Sequence, residues 1–171
     1  MSDGFLKFEE WEKSIPAFYK RDPLWESLYY RVALYLYDLV WDDCDLLQKH
    51  SLARHNVAQI MRSSGSVSAN MEEAYGRGVG TPDYVRIIKI SLGEAKETRG
   101  WYYRCRHAFP ADLIEHRYKV IDHLISLIIN LLKSHKQNLG KKCPSSNPIS
   151  YLLSPISYLL SPISHLLTLI S

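Results

Sequence analysis

Between Asp112 and Lys136 large apolar side chains return every three or four residues: Ile114, Tyr118, Ile121, Ile125, Ile128 and Leu132. Val120, Leu124, Leu127 and Leu131 widen that stripe on one side. A strand alternates with period two, so this rhythm specifies an α-helix. The stripe is wider than one neighbour requires, which predicts a helix that touches at least two others. Lys133, His135 and Lys136 suit the negative end of the helix dipole, and Gly140 supplies a stop.

Three more helical patterns precede it. The first spans roughly 24–48, with Leu28, Val32, Tyr35 and Leu39 at steps of four, three and four, and Leu46 beyond a break at Asp42. The second, roughly 52–75, runs through Val57, Met61, Ser64, Ser68, Met71 and Tyr75, and its serines predict that a neighbouring backbone comes close. The third begins at Thr81-Pro82-Asp83, a threonine N-cap followed by proline and an acid in the first turn. It continues through Tyr84, Ile88, Ser91, Ala95, Thr98, Tyr102 and Cys105. Short joins between four such helices predict an all-α, antiparallel up-down-up-down four-helix bundle over 24–136.

Two appendages flank the bundle. In 1–23, Phe5, Phe8, Trp11, Phe18 and Tyr19 are interrupted by Pro16 and Pro23, which predicts an irregular or briefly helical arm. In 137–171, NPISYLL, SPISYLL and SPISHLL follow one another as an uncharged seven-residue repeat. A proline in every unit forbids one continuous helix, and the units are shorter than those of stacked-repeat folds, so a weakly ordered tail is expected.

Chemistry-bearing motifs are missing. There is no phosphate-binding GxxxxGK[ST], no HExxH, no GxSxG and no CxxC, so no catalytic residue, metal or cofactor is expected. Glu94 and Glu97 have the i,i+3 spacing of a di-metal bundle but lack the histidine that such a site needs. Cys44, Cys105 and Cys143 form no close pair, which points to a reducing compartment and a cytoplasmic protein, with Cys105 a buried thiol on its helix seam. The N-terminus has no secretory pattern, and no apolar run approaches the roughly 18 residues of a membrane span.

The net charge of +3 is small, but its distribution is uneven. Residues 1–76 carry eight basic and twelve acidic side chains, whereas 77–142 carry thirteen basic and six acidic ones. Arg77, Arg86, Lys89, Lys96, Arg99, Arg104 and Arg106 gather on the third helix and its approach, and are the candidate nucleic-acid-binding residues. Arg86, Lys89 and Lys96 share one ridge, and Trp101, Tyr102 and Tyr103 add aromatic surface beside the arginines. Such surface suits either single-stranded nucleic acid or a subunit interface. Asp38, Asp42, Asp43 and Asp45 read as a solvated acidic patch or a docking face for a basic partner.

The strings RSSGSVSANMEEAYGRG at 62–78 and DYVRIIKISLGEAKETRGWYYRCRH at 83–107 resemble a bacterial family of four-helix bundles. Its founding members are encoded by intervening sequences within large-subunit rRNA genes. The likeness covers roughly 24–136, and its motif is matched by Arg62, Ser66, Val67, Asn70, Glu73 and Arg77, then by Leu92, Gly93, Glu94 and Glu97. Ala74 departs from the glycine common there and, being the better helix former, predicts that the helix continues toward Tyr75.

The resemblance implies a homopentamer and a kinship with accessory variability proteins of diversity-generating retroelements, which bind reverse transcriptase and nucleic acid. Arg62, Asn70, Glu73, Arg77, Glu94 and Glu97 are expected to form a structural polar network that sets helix register. A non-enzymatic homo-oligomer is therefore expected, with RNA or DNA as its partner or, as the alternative, a scaffold for a basic protein such as a reverse transcriptase.

Overall fold

The computed structural model describes residues 5–140. The chain is all-α over these residues, with α1 at Phe8–Ser14, α2 at Leu28–Lys49, α3 at Val57–Gly76, α4 at Pro82–Cys105 and α5 at Ala111–Gly140. Helix α3 packs against α2 and α4, α4 against α5, and α5 closes the ring on α2. This is the up-down four-helix bundle, preceded by an arm. The repeat tail, with Cys143, lies outside the described residues.

Local chemistry explains the boundaries. Asp22 Oδ1 accepts the Leu24 amide at 2.8 Å and caps a short 3-10 turn over Pro23–Glu26. Ser27 is then extended, so α2 begins at Leu28 rather than at Leu24. His50 is extended too, and a 3-10 turn over Arg54–Asn56 delays α3 to Val57. Ala74 is buried within α3, which runs on to Gly76 as its helix propensity predicts. Gly78 and Gly80 then take φ of 96° and 86°, a left-handed region that reverses the chain. Thr81 Oγ1 accepts the Tyr84 amide at 3.1 Å, so the expected N-cap stands where Pro82 opens α4.

Small side chains bring α3 and α4 together. Ser63, Ser64 and Ser68 of α3 and Ser91, Ala95 and Thr98 of α4 are all buried. Ser91 Oγ donates to the Val67 carbonyl at 2.8 Å, and Thr98 Oγ1 lies 3.0 Å from Ser63 Oγ. The hydroxyls between α3 and α4 are thus satisfied at Ser63, Ser91 and Thr98, whereas Ser64 and Ser68 of the expected seam donate to the Met61 and Gly65 carbonyls of their own helix.

The inward row of α5 is offset from the most regular apolar row. Leu113, Arg117, Val120, Ile121, Leu124 and Ile128 are buried, while Ile114, Tyr118, Ile125 and Leu132 are half-buried on its flanks. An arginine in the inward row disguises it as polar in the sequence.

The arm is briefly helical and belongs to the core. Trp11, 2% exposed, packs against Trp25, Tyr35 and Phe8, and its Nε1 donates to Asp38 Oδ2 at 2.6 Å. Glu12 pairs with Arg31, and the Tyr35 hydroxyl donates to the Leu6 carbonyl.

Burial holds the imidazoles of His123 and His135 below their ordinary value of 6.5. The unfolded chain therefore takes up these protons first, and stability falls as pH drops through about 6.5, levelling below the folded-state values. Thermal melts from pH 7.5 to 5 should show this loss, and a His123→Gln/His135→Gln variant should flatten it. An unchanged slope in the variant would refute the assignment.

Candidate nucleic-acid interface

The seven basic residues differ in how their charges are engaged. Arg77 and Arg86 converge on Asp83 at the α3–α4 turn, with Arg77 Nη1 at 3.0 Å and Arg86 Nη2 at 2.8 Å from its carboxylate oxygens. Arg77 Nη2 also pairs with Glu73 at 2.7 Å. The hydrogen bonds from Arg86 and then Arg77 hold the Asp83 carboxyl below its ordinary value. These charges are largely spent on one another. Lys89 and Lys96 lie further along the exposed side of α4 and make no ion pair among the described residues.

Lys96, Arg99 and Arg104 reappear together at an open groove between α4 and α5, lined also by Gly100, Tyr103, Tyr118, Asp122 and Ile125. Three arginines here rest on aromatic rings: Arg104 on Trp101 at 4.7 Å, Arg106 on Tyr103 at 4.2 Å and Arg99 on Tyr118 at 5.1 Å. Arg99 Nε also pairs with Asp122 at 2.9 Å. Spacing in the sequence gathers the cations on α4, but only the α4–α5 packing supplies Tyr118 and Asp122.

The expected polar network divides in two. Arg62 of α3 reaches across to Glu94, at 3.4 Å, and to Glu97 of α4. Glu97 also accepts from Trp101 Nε1 at 3.1 Å, and these donors keep its carboxyl below the ordinary range. Glu73 and Arg77 belong to the Asp83 cluster at the other end. Asn70 joins neither, because its Nδ2 donates to the Ser66 carbonyl of its own helix at 2.6 Å. Both clusters are solvent-accessible, so each contributes on the modest scale of a surface ion pair.

The buried brace lies elsewhere. Asp43 of α2 and Arg117 of α5, 2% and 3% exposed, form a bidentate pair through Nε at 2.8 Å and Nη2 at 2.9 Å. Tyr102 of α4 donates to Asp43 Oδ2 at 2.6 Å. Burial, with Asp43 beside it, pushes the Tyr102 hydroxyl far above the usual tyrosine value and so keeps it a donor. Burial works against the Arg117 charge, and the Asp43 carboxylate more than offsets it. Arg117 Nη1 meets His116 Nδ1 at 2.7 Å, and Phe5 of the arm covers the guanidinium at 5.1 Å. The sequence signal for this trio is phase: Asp43 and Arg117 each fall on the buried row of an apolar helix.

The acidic patch is corrected accordingly. Asp43 is withdrawn into the core, because its neighbours Leu36, Leu39, Val40 and Leu47 place it on the inward face of α2, and Asp38 is engaged by Trp11. Asp42 and Asp45 remain exposed. Cys44 and Cys105 are both buried; burial, with Asp43 and Asp45 adding to it, lifts the Cys44 thiol to about 11, and burial raises Cys105 as well. Neither has the character of a reactive thiolate. Among the described residues there is no His/Cys/Asp/Glu group able to hold a metal ion, and no helix is long and apolar enough to cross a membrane.

Comparison with curated proteins and with solved structures returns no match. The model of the 23S rRNA-intervening sequence protein family matches residues 30–134, which takes in nearly all of α2, all of α3 and α4, and most of α5. With more than half of its length accounted for, and with the four bundle helices that the match spans, the chain belongs to the 23S rRNA-intervening sequence protein family.

Proposed function

We propose that this chain is a non-enzymatic, homo-oligomeric accessory protein that binds nucleic acid through the outward surface of α4. The supporting observation is that four cations, Lys89, Lys96, Arg104 and Arg106, are tied to no carboxylate among the described residues, while Arg99 between them pairs with Asp122. A homopentamer would present this surface five times, so that weak phosphate contacts combine through multivalency. On this proposal the protein acts in the cytoplasm, with its nucleic-acid partner.

The test is titration of the full chain with structured RNA, single-stranded DNA and duplex DNA over a salt series, beside an Arg86→Ala/Lys89→Ala/Lys96→Ala variant matched for oligomeric mass by sedimentation. We expect salt-sensitive binding, with the variant weaker and its log K against log salt slope shallower by about 2. Absence of binding to all three at low salt would overturn the proposal. The protein-binding scaffold, docking a basic partner such as a reverse transcriptase on Asp42 and Asp45, would then stand in its place.

A further inference from the structure

Charge along α4 explains attraction to a phosphate backbone but not the groove beside it. Tyr103 is 58% exposed although it is a large aromatic, and Arg106 rests on its ring. Across the groove Tyr118 carries Arg99, whose carbonyl accepts the Tyr118 hydroxyl at 3.3 Å. Gly100 lies on the groove floor, where a Cβ would stand 2.8 Å from Arg104 Nη1, the end of a flexible side chain that can move aside, and the Arg104 guanidinium lies on Trp101. The result is a channel with aromatic surface on both helices and guanidinium groups held in place by stacking.

We infer that this α4–α5 groove is a binding site for single-stranded nucleic acid, with Tyr103 and Tyr118 as its base-stacking surfaces and Lys96 and Arg104 as its phosphate contacts. The inference rests on the nucleic-acid reading above and adds the strand class. With helix axes about 8–10 Å apart the groove is a shallow seam along their contact, which can take a flat base against its wall but not the body of a duplex. In a duplex the base faces are already stacked on one another; in a single strand they are available to an aromatic side chain, whatever the sequence. Among the described residues Asp122 is the one acid lining the groove, and it holds Arg99 at 2.9 Å. Opposed to an incoming phosphate, it works against binding, and it sets an affinity that a single substitution can raise.

The test uses the full chain with labelled oligouridylate, oligothymidylate and an RNA hairpin stem of equal length, followed by fluorescence anisotropy. The single strands should bind more tightly than the stem. Tyr103→Ala should weaken the single strands by about tenfold and leave the stem unchanged, while Tyr103→Phe retains the affinity. Asp122→Asn should tighten single-strand binding severalfold and steepen its salt dependence. Equal affinity for strand and stem, or indifference to Tyr103→Ala, would overturn the groove while the salt-sensitive binding lost in the triple-alanine variant still stood. No binding to any probe would overturn the nucleic-acid reading and the groove together.

Discussion

Asp43→Ala and Arg117→Ala are each expected to destabilise the protein by about 3–5 kcal/mol, since either leaves its partner's charge buried without compensation. Urea denaturation followed by circular dichroism would measure this, and a loss below about 1 kcal/mol would mean that the pair is hydrated rather than buried. Asp43 and Arg117 join α2 to α5, and the Tyr102 hydroxyl adds α4, so one carboxylate gathers three of the four bundle helices.

The trio's contribution to stability differs from the cost of breaking it. An Asp43→Leu/Tyr102→Phe/Arg117→Met variant removes all three polar groups of the trio at once and is expected to recover most of the loss, because apolar replacements of similar size avoid the desolvation of both ions. What such a variant forfeits is register. A hydrogen-bonded pair accepts only one relative height of α2 against α5, whereas leucine and methionine tolerate a shift of a turn. Broadened amide resonances in the triple variant beside sharp ones in the parent would show that difference.

Trp11→Ala is expected to cost about 3–5 kcal/mol, the scale for removing a large aromatic side chain from a packed site. The indole occupies a pocket made by Trp25, Tyr35 and Phe8, and its N–H satisfies Asp38. Loss of the ring should release α1, which hydrogen exchange would report as loss of protection between Phe8 and Ser14. The same experiment probes the trio at a distance, since Phe5 leaves Arg117 when the arm detaches. An unchanged denaturation midpoint, with α1 still protected, would show the arm to be held by other contacts.

The periodicity of 112–136, the threonine-proline start of α4 and the serine seam of α3 carried the bundle in one dimension. Each acts within a turn or two of helix, where neighbouring residues already decide which side chains share a face. The boundaries near Leu28 and Val57 moved because single residues, Ser27 and His50, adopt extended backbone that no apolar pattern records. On α4 the cations were legible as a cluster, yet their pairing was not. Whether Arg99 is free or held depends on Asp122, and that contact is made across a helix interface.

Sequence alone determined the class of this protein: four amphipathic helices with short joins can bury their stripes in few arrangements other than a bundle. The tertiary structure decided which charges are available. Asp43 and Arg117 are ordinary surface residue types 74 positions apart in the chain. They become a buried brace because the inward rows of α2 and α5 meet at one height, where each ion's partner replaces its lost water. Likewise Tyr118 is only one member of an apolar row, and Asp122 one more surface acid, until α5 lies beside α4. Helical period is a local property and can be read along the chain, but the value of a charge is set by the dielectric and the partners around it, and only packing supplies those.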